Sequence, residues 1–197
     1  MNLQILVFLI HLHLVAINMA QYYTGIGSRE TPNHILILMT KIAKYLDSLG
    51  FILRSGGAPG ADTAFANGAV NKQIFIPWKN FNGIKDGIYL WDEQTKNQAF
   101  NDVFNCLGEN HWNRLSNGGK ELHLRNWRQI FGVNLNDKFS NFVICYTQNG
   151  IPKGGTRTAI LLALKNKIPV YNLGNNETYY KINTFMSTLK NENYNIK

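Results

Sequence analysis

Apolar positions alternate along the chain between short continuous runs and longer stretches at helical spacing. Residues 51–54 form a short run that ends at glycines, whereas Ile35, Leu38 and Ile42 recur three or four positions apart, as on one face of a helix. The strands that this pattern predicts cover residues 21–28, 51–54, 73–76, 141–146 and 168–172. The predicted helices cover residues 32–49, a segment reaching about 70, 95–107, 118–131, a segment reaching about 165, and 177–190. This alternation predicts an α/β fold, a Rossmann-like parallel sheet with helices on both faces.

The rhythm breaks over residues 77–137, which are rich in Trp, Asn and Gly. We interpret this stretch as an inserted, mostly helical segment within a single domain that covers residues 21–190. Residues 191–197 are then a polar tail. The chain has 197 residues, of which 45% are hydrophobic. It therefore has enough apolar residues to form the hydrophobic core of one domain.

Residues 1–20 contain no Lys, Arg, Asp or Glu. Three interpretations stay open for this apolar extension. Translation could begin at Met19, which would make the segment a start-site artefact. The segment could be a signal peptide or membrane anchor, although His11 and His13 interrupt its apolar run. It could also be an additional helix. We expect no stable membrane association of the domain that follows.

Three glycine-rich turns follow predicted strands, and each opens a predicted helix. Parallel strands end at one edge of a sheet, where helix N-termini offer N–H groups and a positive dipole to anions. We therefore expect the turns to hold the phosphates of one ligand, unless their glycines serve only tight packing. The residues of these turns expected at the ligand are Gly25, Gly27, Ser28, Ser55, Gly56, Gly57, Gly60, Asp62, Gly154, Gly155, Thr156 and Thr158.

Basic and aromatic side chains near the turns complete the predicted site. Arg29, Arg54 and Arg157 are expected to supply positive charge to phosphates. Trp78 and Trp112 are candidates for stacking on a base. Trp78 could equally cover the edge of the sheet.

Two carboxylates, Asp62 and Glu30, stand where predicted helices begin. Each is a candidate catalytic group, and each could instead stabilise its helix through the dipole. His111 and His123 lack a second pair of ligands, so we expect no metal site. The free thiols Cys106 and Cys145 favour a reducing compartment such as the cytoplasm.

Several nucleotide-binding motifs are absent from the sequence. No G-x-x-x-x-G-K-[ST] run occurs, the Gly25-x-Gly27 turn lacks the third glycine of the dinucleotide fingerprint, and no acidic residue ends the second predicted strand. These absences exclude a P-loop ATPase and disfavour NAD-dependent redox chemistry. We expect no cofactor.

The glycine turns resemble those of a known group of proteins, the SLOG superfamily of Rossmann-like domains. The likeness is greatest to the DprA/Smf branch, and within it to short phage-encoded DNA recombination-mediator A-like proteins. The segments that carry it are IGSR (26–29), SGGAPGAD (55–62) and GGTRTAI (154–160). Residues 111–132 also resemble the middle segment of that family, with Arg125 and Asn126 in matching positions. The resemblance spans residues 22–174.

The resemblance implies binding of single-stranded DNA in recombination or DNA processing, without catalysis, in the cytoplasm, which is the host cytoplasm if the protein is phage-encoded. A recombinase and a second copy of the chain are the partners it suggests. A first alternative is a binder, sensor or sponge of a small NAD-derived or cyclic nucleotide. A second is a nucleotide phosphoribohydrolase of the LOG type. The second is disfavoured, because Ile160 and Leu161 stand where those enzymes carry their acid in PGGxGTxxE.

The charge balance agrees with an anionic partner without requiring one. Lys and Arg number 20 against 12 Asp and Glu, which gives a net charge of +8. Residues 72–128 carry only two more bases than acids, whereas residues 129–197 carry five more. Most of the excess therefore lies in residues 129–197, where it is too diffuse to form a basic tail.

Overall fold

The computed structural model of the chain describes residues 20–192. The three interpretations of the apolar N-terminal extension lie outside these residues, as do residues 193–197 of the predicted tail. In the described part, five strands form one sheet with the order β3-β2-β1-β4-β5, and every neighbouring pair is parallel. The strands are β1 (Gln21–Gly27), β2 (Phe51–Ser55), β3 (Lys72–Ile74), β4 (Phe142–Tyr146) and β5 (Val170–Asn172).

Helices cover both faces of this sheet, as the sequence predicts. They are α1 (Asn33–Ser48), α2 (Ala61–Gly68), α3 (Glu93–Leu107), α4 (Glu109–Asn113), α5 (Asn117–Phe131), α6 (Thr156–Lys165) and α7 (Asn176–Glu192). The predicted α/β, Rossmann-like fold with an inserted, mostly helical segment is confirmed. Within residues 20–192, no helix is long and apolar enough to cross a membrane.

Each face of the sheet has its own hydrophobic core. On one face, α1, α2 and α7 bury Ile35, Phe65 and Ile182 against strand residues such as Tyr23 and Leu53. On the other face, residues of α3 to α6 pack against Ile26, Val143 and Cys145. Successive residues of a strand point to opposite faces, so strands with helices on both faces read as continuous apolar runs.

The inserted helices α3, α4 and α5 lie on the same face of the sheet as α6. The segment after β3 first pairs back on that strand, because Ile88 donates to the carbonyl of Ile74 at 2.8 Å and Ile76 donates to that of Ile88 at 3.0 Å. Helix α3 then begins at an Asp92 cap whose side chain accepts from the N–H of Thr95. The insertion thus covers one face of the sheet together with α6.

Two local features are not what the sequence suggests. Threonine is a favoured helix cap, but Thr31, which precedes Pro32, does not cap the first helix. Pro32 occupies the cap position, and the Thr31 hydroxyl instead donates to the carbonyl of Ser28 at 2.7 Å. The short helix α4 was not predicted. Its five residues are too few to show a helical period in the sequence.

The strand order reverses between β1 and β4, because the chain continues outward on one side through β2 and β3 and on the other through β5. The segments that follow β1 and β4 therefore diverge at the carboxyl edge of the sheet. A crevice forms at such a point, and ligands of open α/β sheets bind there.

Candidate functional site

A cleft of about 470 Å³ opens where the strand order reverses. Its walls come from four segments: the turn after β1 (residues 26–30), the start of α2, the middle of α5, and the segment after β4 up to Thr156. Its size falls in the lower part of the range of about 300–1,000 Å³ that is typical of small-molecule sites.

The turns after β1 and β4 meet at this cleft, as predicted. Gly27, Ser28 and Arg29 line it from the first turn, and the Ser28 N–H donates to the carbonyl of Tyr146 at 3.1 Å. The first turn is packed tightly, because a Cβ on Gly27 would lie 2.7 Å from the Cβ of Ala61.

The turn after β4 is more open. Gly154, Gly155 and Thr156 line the cleft, both glycines are exposed, and a Cβ on Gly154 would meet no atom within 4 Å. These glycines leave room for a ligand at the first turn of α6.

The turn after β2 leaves little space for the ligand that the sequence predicts there, because protein atoms already fill the space beside its glycines. A Cβ on Gly56 would lie 1.5 Å from Nη1 of Arg125, and one on Gly57 would lie 2.3 Å from Ile84. A Cβ on Gly60 would lie 2.6 Å from the carbonyl oxygen of Arg29. Of this segment, only Ala58 and Asp62 line the cleft.

Three further residues expected at the ligand also point into the protein. The Ser55 hydroxyl donates to the carbonyl of Gly25 at 2.6 Å, and a Cβ on Gly25 would collide with the ring of Phe65. Arg54 is fully buried, with its Nη1 donating to the carbonyl of Lys138 at 2.6 Å. Arg54 therefore links β2 to the segment before β4, and its predicted contact with phosphate is corrected.

A buried ion pair forms the floor of the cleft. Arg125 of α5 is 7% exposed, Asp62 of α2 is 4% exposed, and Nη1 of Arg125 lies 3.7 Å from Oδ2 of Asp62. The same Nη1 donates to the carbonyl of Gly56. Asp62 also accepts from the N–H of Ala58 at 3.2 Å.

The pair is buried and charged, which sets the pKa of each partner. Burial raises the pKa of the Asp62 carboxyl, and Arg125 and backbone N–H groups oppose that shift. Burial lowers the pKa of Arg125, which Asp62 opposes, and a guanidinium remains charged in proteins. Asp62 is thus occupied as a counter-ion and helix-start residue. Glu30, the other candidate acid, is exposed on the rim.

The remaining candidates of α5 and α6 divide between the cleft and the protein interior. Asn126 lines the cleft, and its side-chain amide donates to the carbonyl of Gly155 at 2.8 Å. Thr158 is buried and contacts Nδ1 of His123 at 2.7 Å. Arg157 is exposed but does not line the cleft. Its charge lies near Cys106 of α3, where it opposes the rise in the thiol pKa that burial causes.

Lys153 is a cleft residue that sequence reasoning missed. It is exposed and lines the cleft just before Gly154. The sequence signal that could have identified Lys153 is its position directly before Gly154 and Gly155. A cation at that position would face the same ligand as the turn. With Arg29, it places two exposed cations on the rim.

The two predicted stacking residues have different surroundings. Trp112 is 7% exposed and packs against Phe100 and Phe104, so it is a core residue in this structure. Trp78 is 43% exposed and packs edge-on against Phe81 with ring centroids 5.3 Å apart. Only Trp78 keeps surface for a base.

His111 and His123 lie with their rings edge to face, centroids 6.1 Å apart. Among residues 20–192, no group of three or more His, Cys, Asp or Glu side chains is placed to hold a metal ion. Cys106 and Cys145 are both free thiols, and Cys145 is buried.

No protein-family model and no curated protein sequence matches this chain. A solved structure of DNA processing protein A from Helicobacter pylori, described for its single-stranded DNA binding mode, is similar to it with a TM-score of 0.51 and 17% sequence identity. The similarity covers 90% of this chain and 84% of that chain. At this identity, the likeness establishes the shared fold alone.

Proposed function

We propose that the chain binds single-stranded DNA as a DNA-processing protein, with phosphate groups held between the turns after β1 and β4. The observation that carries this proposal is the cleft at the point of strand-order reversal, with Arg29 and Lys153 exposed on its rim. The fold shared with DNA processing protein A, whose structure is described for its single-stranded DNA binding, supports the same function.

The contacts divide between two of the three predicted turns. Ser28, Gly155 and Thr156 line the cleft, and the N-terminal end of α6 lies there, where the helix dipole favours an anion. Trp78 is exposed outside the cleft lining, so in this proposal it stacks on a base of the strand beyond the cleft. Arg157 lies away from the cleft lining, so it has no place in the central contact.

The proposal is one of binding without catalysis. Asp62 is paired with Arg125 at 3.7 Å and is 4% exposed, so it is not free to attack a sugar or activate water. Ile160 is buried in the core, at one of the positions where the LOG-type acid would stand. Incubation with nucleoside monophosphates should therefore release no free base. Release of base that is lost in Asp62→Asn would contradict this part of the proposal.

Fluorescence anisotropy of a labelled single-stranded oligonucleotide tests the binding itself. For single strands, log K falls with log salt at about 0.7 per neutralised phosphate. The two rim cations therefore predict a slope of about −1.4. Binding that strengthens with oligonucleotide length and weakens with salt supports the proposal. Absence of binding at low salt would overturn it.

A further inference from the structure

Only one nitrogen of the Arg125 guanidinium makes polar contacts with other groups of the described protein. Nη1 donates to the carbonyls of Gly56 and Phe75 and lies 3.7 Å from Asp62. Nε is buried and has no hydrogen-bond partner within the described residues. None of the hydrogen bonds among residues 20–192 uses Nη2 either.

The unused nitrogens are adjacent and form one edge of the guanidinium. The N–H groups of Nε and Nη2 point the same way, which is the geometry that binds two oxygens of a phosphate at once. An unsatisfied buried donor is costly, and an oxyanion on this edge would remove that cost. Arg125 lines the cleft, so a ligand that reaches the floor of the cleft comes next to this guanidinium.

The position of Arg125 restricts which phosphate can reach it. The side chain is 7% exposed at the floor of the cleft, and the Asp62 and Gly56 contacts fix it there before any ligand arrives. A phosphodiester within a strand continues on both sides and stays near the rim. A terminal phosphate ends the chain and can project to the floor.

The size of the cleft fits the terminal nucleotide of a ligand better than a longer stretch of it. At about 470 Å³, it accommodates something on the scale of one nucleotide, with Arg29 and Lys153 at the rim where further phosphates would pass. We infer that Arg125 is a receptor for the terminal phosphomonoester of a nucleotide. This inference rests on the proposed function and deepens it, since the phosphate comes from a strand end or from a free mononucleotide.

Anisotropy with one oligonucleotide sequence in three forms tests the inference: a 5′-phosphate, a 3′-phosphate, and hydroxyls at both ends. One phosphorylated form should bind about tenfold or more tightly than the hydroxyl form, as expected for a charge-assisted bidentate contact. Arg125→Lys should remove this preference, because lysine keeps the charge but lacks the planar fork. Arg114→Lys is the matched control, since Arg114 is exposed and outside the cleft lining.

Competition with deoxynucleoside monophosphates distinguishes the two sources of the phosphate. If they displace the phosphorylated oligonucleotide, and inorganic phosphate at the same concentration does not, the nucleotide itself is recognised. If no oligonucleotide binds but the monophosphate raises the melting temperature of the wild type and not of Arg125→Lys, the inference holds and the DNA-binding proposal fails.

Equal affinity for phosphorylated and hydroxyl ends would overturn the inference and leave the proposed function standing. If Arg125→Lys does not fold, the ratio between phosphorylated and phosphatase-treated oligonucleotide on the wild type decides the question alone.

Discussion

Three arginines lie almost fully buried on the face of the sheet that carries the insertion. Arg54 and Arg128 are 0% and 1% exposed, and Arg125 is 7% exposed. Arg128 stacks on Trp91, with its guanidinium carbon 3.7 Å from the ring centroid, and Arg54 does the same on Tyr22 at 3.9 Å. Burial lowers the pKa of both Arg54 and Arg128 to about 10, so both stay charged at neutral pH. Arg54 fastens the insertion to the sheet through the carbonyl of Ile130 and through Asp137. Arg128 instead holds Leu90 and Trp91 within the insertion.

Tyr23 provides a test of buried polarity at a single residue. Its ring packs between Phe65 and Phe142, and its hydroxyl is buried without a hydrogen-bond partner among the described residues. Tyr23→Phe keeps the ring contacts and removes the unsatisfied group. We expect the free energy of unfolding to stay level or rise by about 1 kcal/mol, measured by urea denaturation. A loss of about 1 kcal/mol or more would show that the hydroxyl has a partner.

His123 predicts how stability changes with pH. Burial, and to a smaller degree His111 and Arg125, lowers its pKa to about 4, against about 6.5 in an unfolded chain. Between these values the unfolded chain binds more protons than the folded one. The free energy of unfolding should therefore fall as the pH drops from about 6.5 towards 4.

The variant His123→Gln removes this titration and can keep a hydrogen bond to Thr158. Its denaturation midpoint should depend less on pH over that interval than the midpoint of the wild type. Parallel pH profiles for the two proteins would contradict the role of His123.

At the scale of elements, the sequence predicted the helices and strands better than what their connecting turns contact. Hydrophobic spacing placed α3 and α5 within a few residues of their observed bounds. The glycines of the turn after β2 looked like a phosphate cradle, but Arg125 and Ile84 occupy their surroundings. Arg125 is 63 residues from its partner Asp62. No local pattern reports a contact over that separation, because it depends on how the insertion folds back.

Gly60 and Gly154 differ in both packing and backbone conformation. Both have positive φ, +85° and +60°, so alanine is strained at either position, and the ψ of −124° at Gly60 is a conformation that essentially only glycine adopts. A Cβ at position 60 would also lie 2.6–2.8 Å from backbone atoms of Ser28 and Arg29, whereas one at 154 meets nothing within 4 Å.

We therefore expect Gly60→Ala to lower the free energy of unfolding by clearly more than Gly154→Ala, by about 2 kcal/mol or more. Urea denaturation of both variants measures the difference. Equal losses would mean that the turn after β2 has room to move, and that its glycines are free to approach a ligand.

At the scale of the whole molecule, the topology and the insertion together make the cleft. In the order β3-β2-β1-β4-β5, the turns after β1 and β4 lead to helices on opposite faces of the sheet, and α5 closes the space between them with Leu122, Arg125 and Asn126. The strand-helix alternation in the sequence predicts a crevice at the sheet edge, but not that the insertion forms its wall. The net charge of +8 favours an anionic ligand without fixing its place.

If single-stranded DNA binds in the cleft, its affinity depends on the cations at the rim and not on the total charge of the protein. The double variant Arg29→Gln/Lys153→Gln removes two charges from the rim of the cleft. Lys41→Gln/Lys44→Gln removes two exposed charges from α1, outside the cleft lining, and is the matched control.

The most direct measurement is anisotropy of single-stranded DNA over a salt series for the wild type and these two variants. We expect the rim variant to weaken binding at low salt about tenfold or more and to flatten the salt slope by about 1–1.5, while the control changes both far less. If the two variants weaken binding equally, DNA is held by the overall charge of the protein, and the cleft is not its binding site.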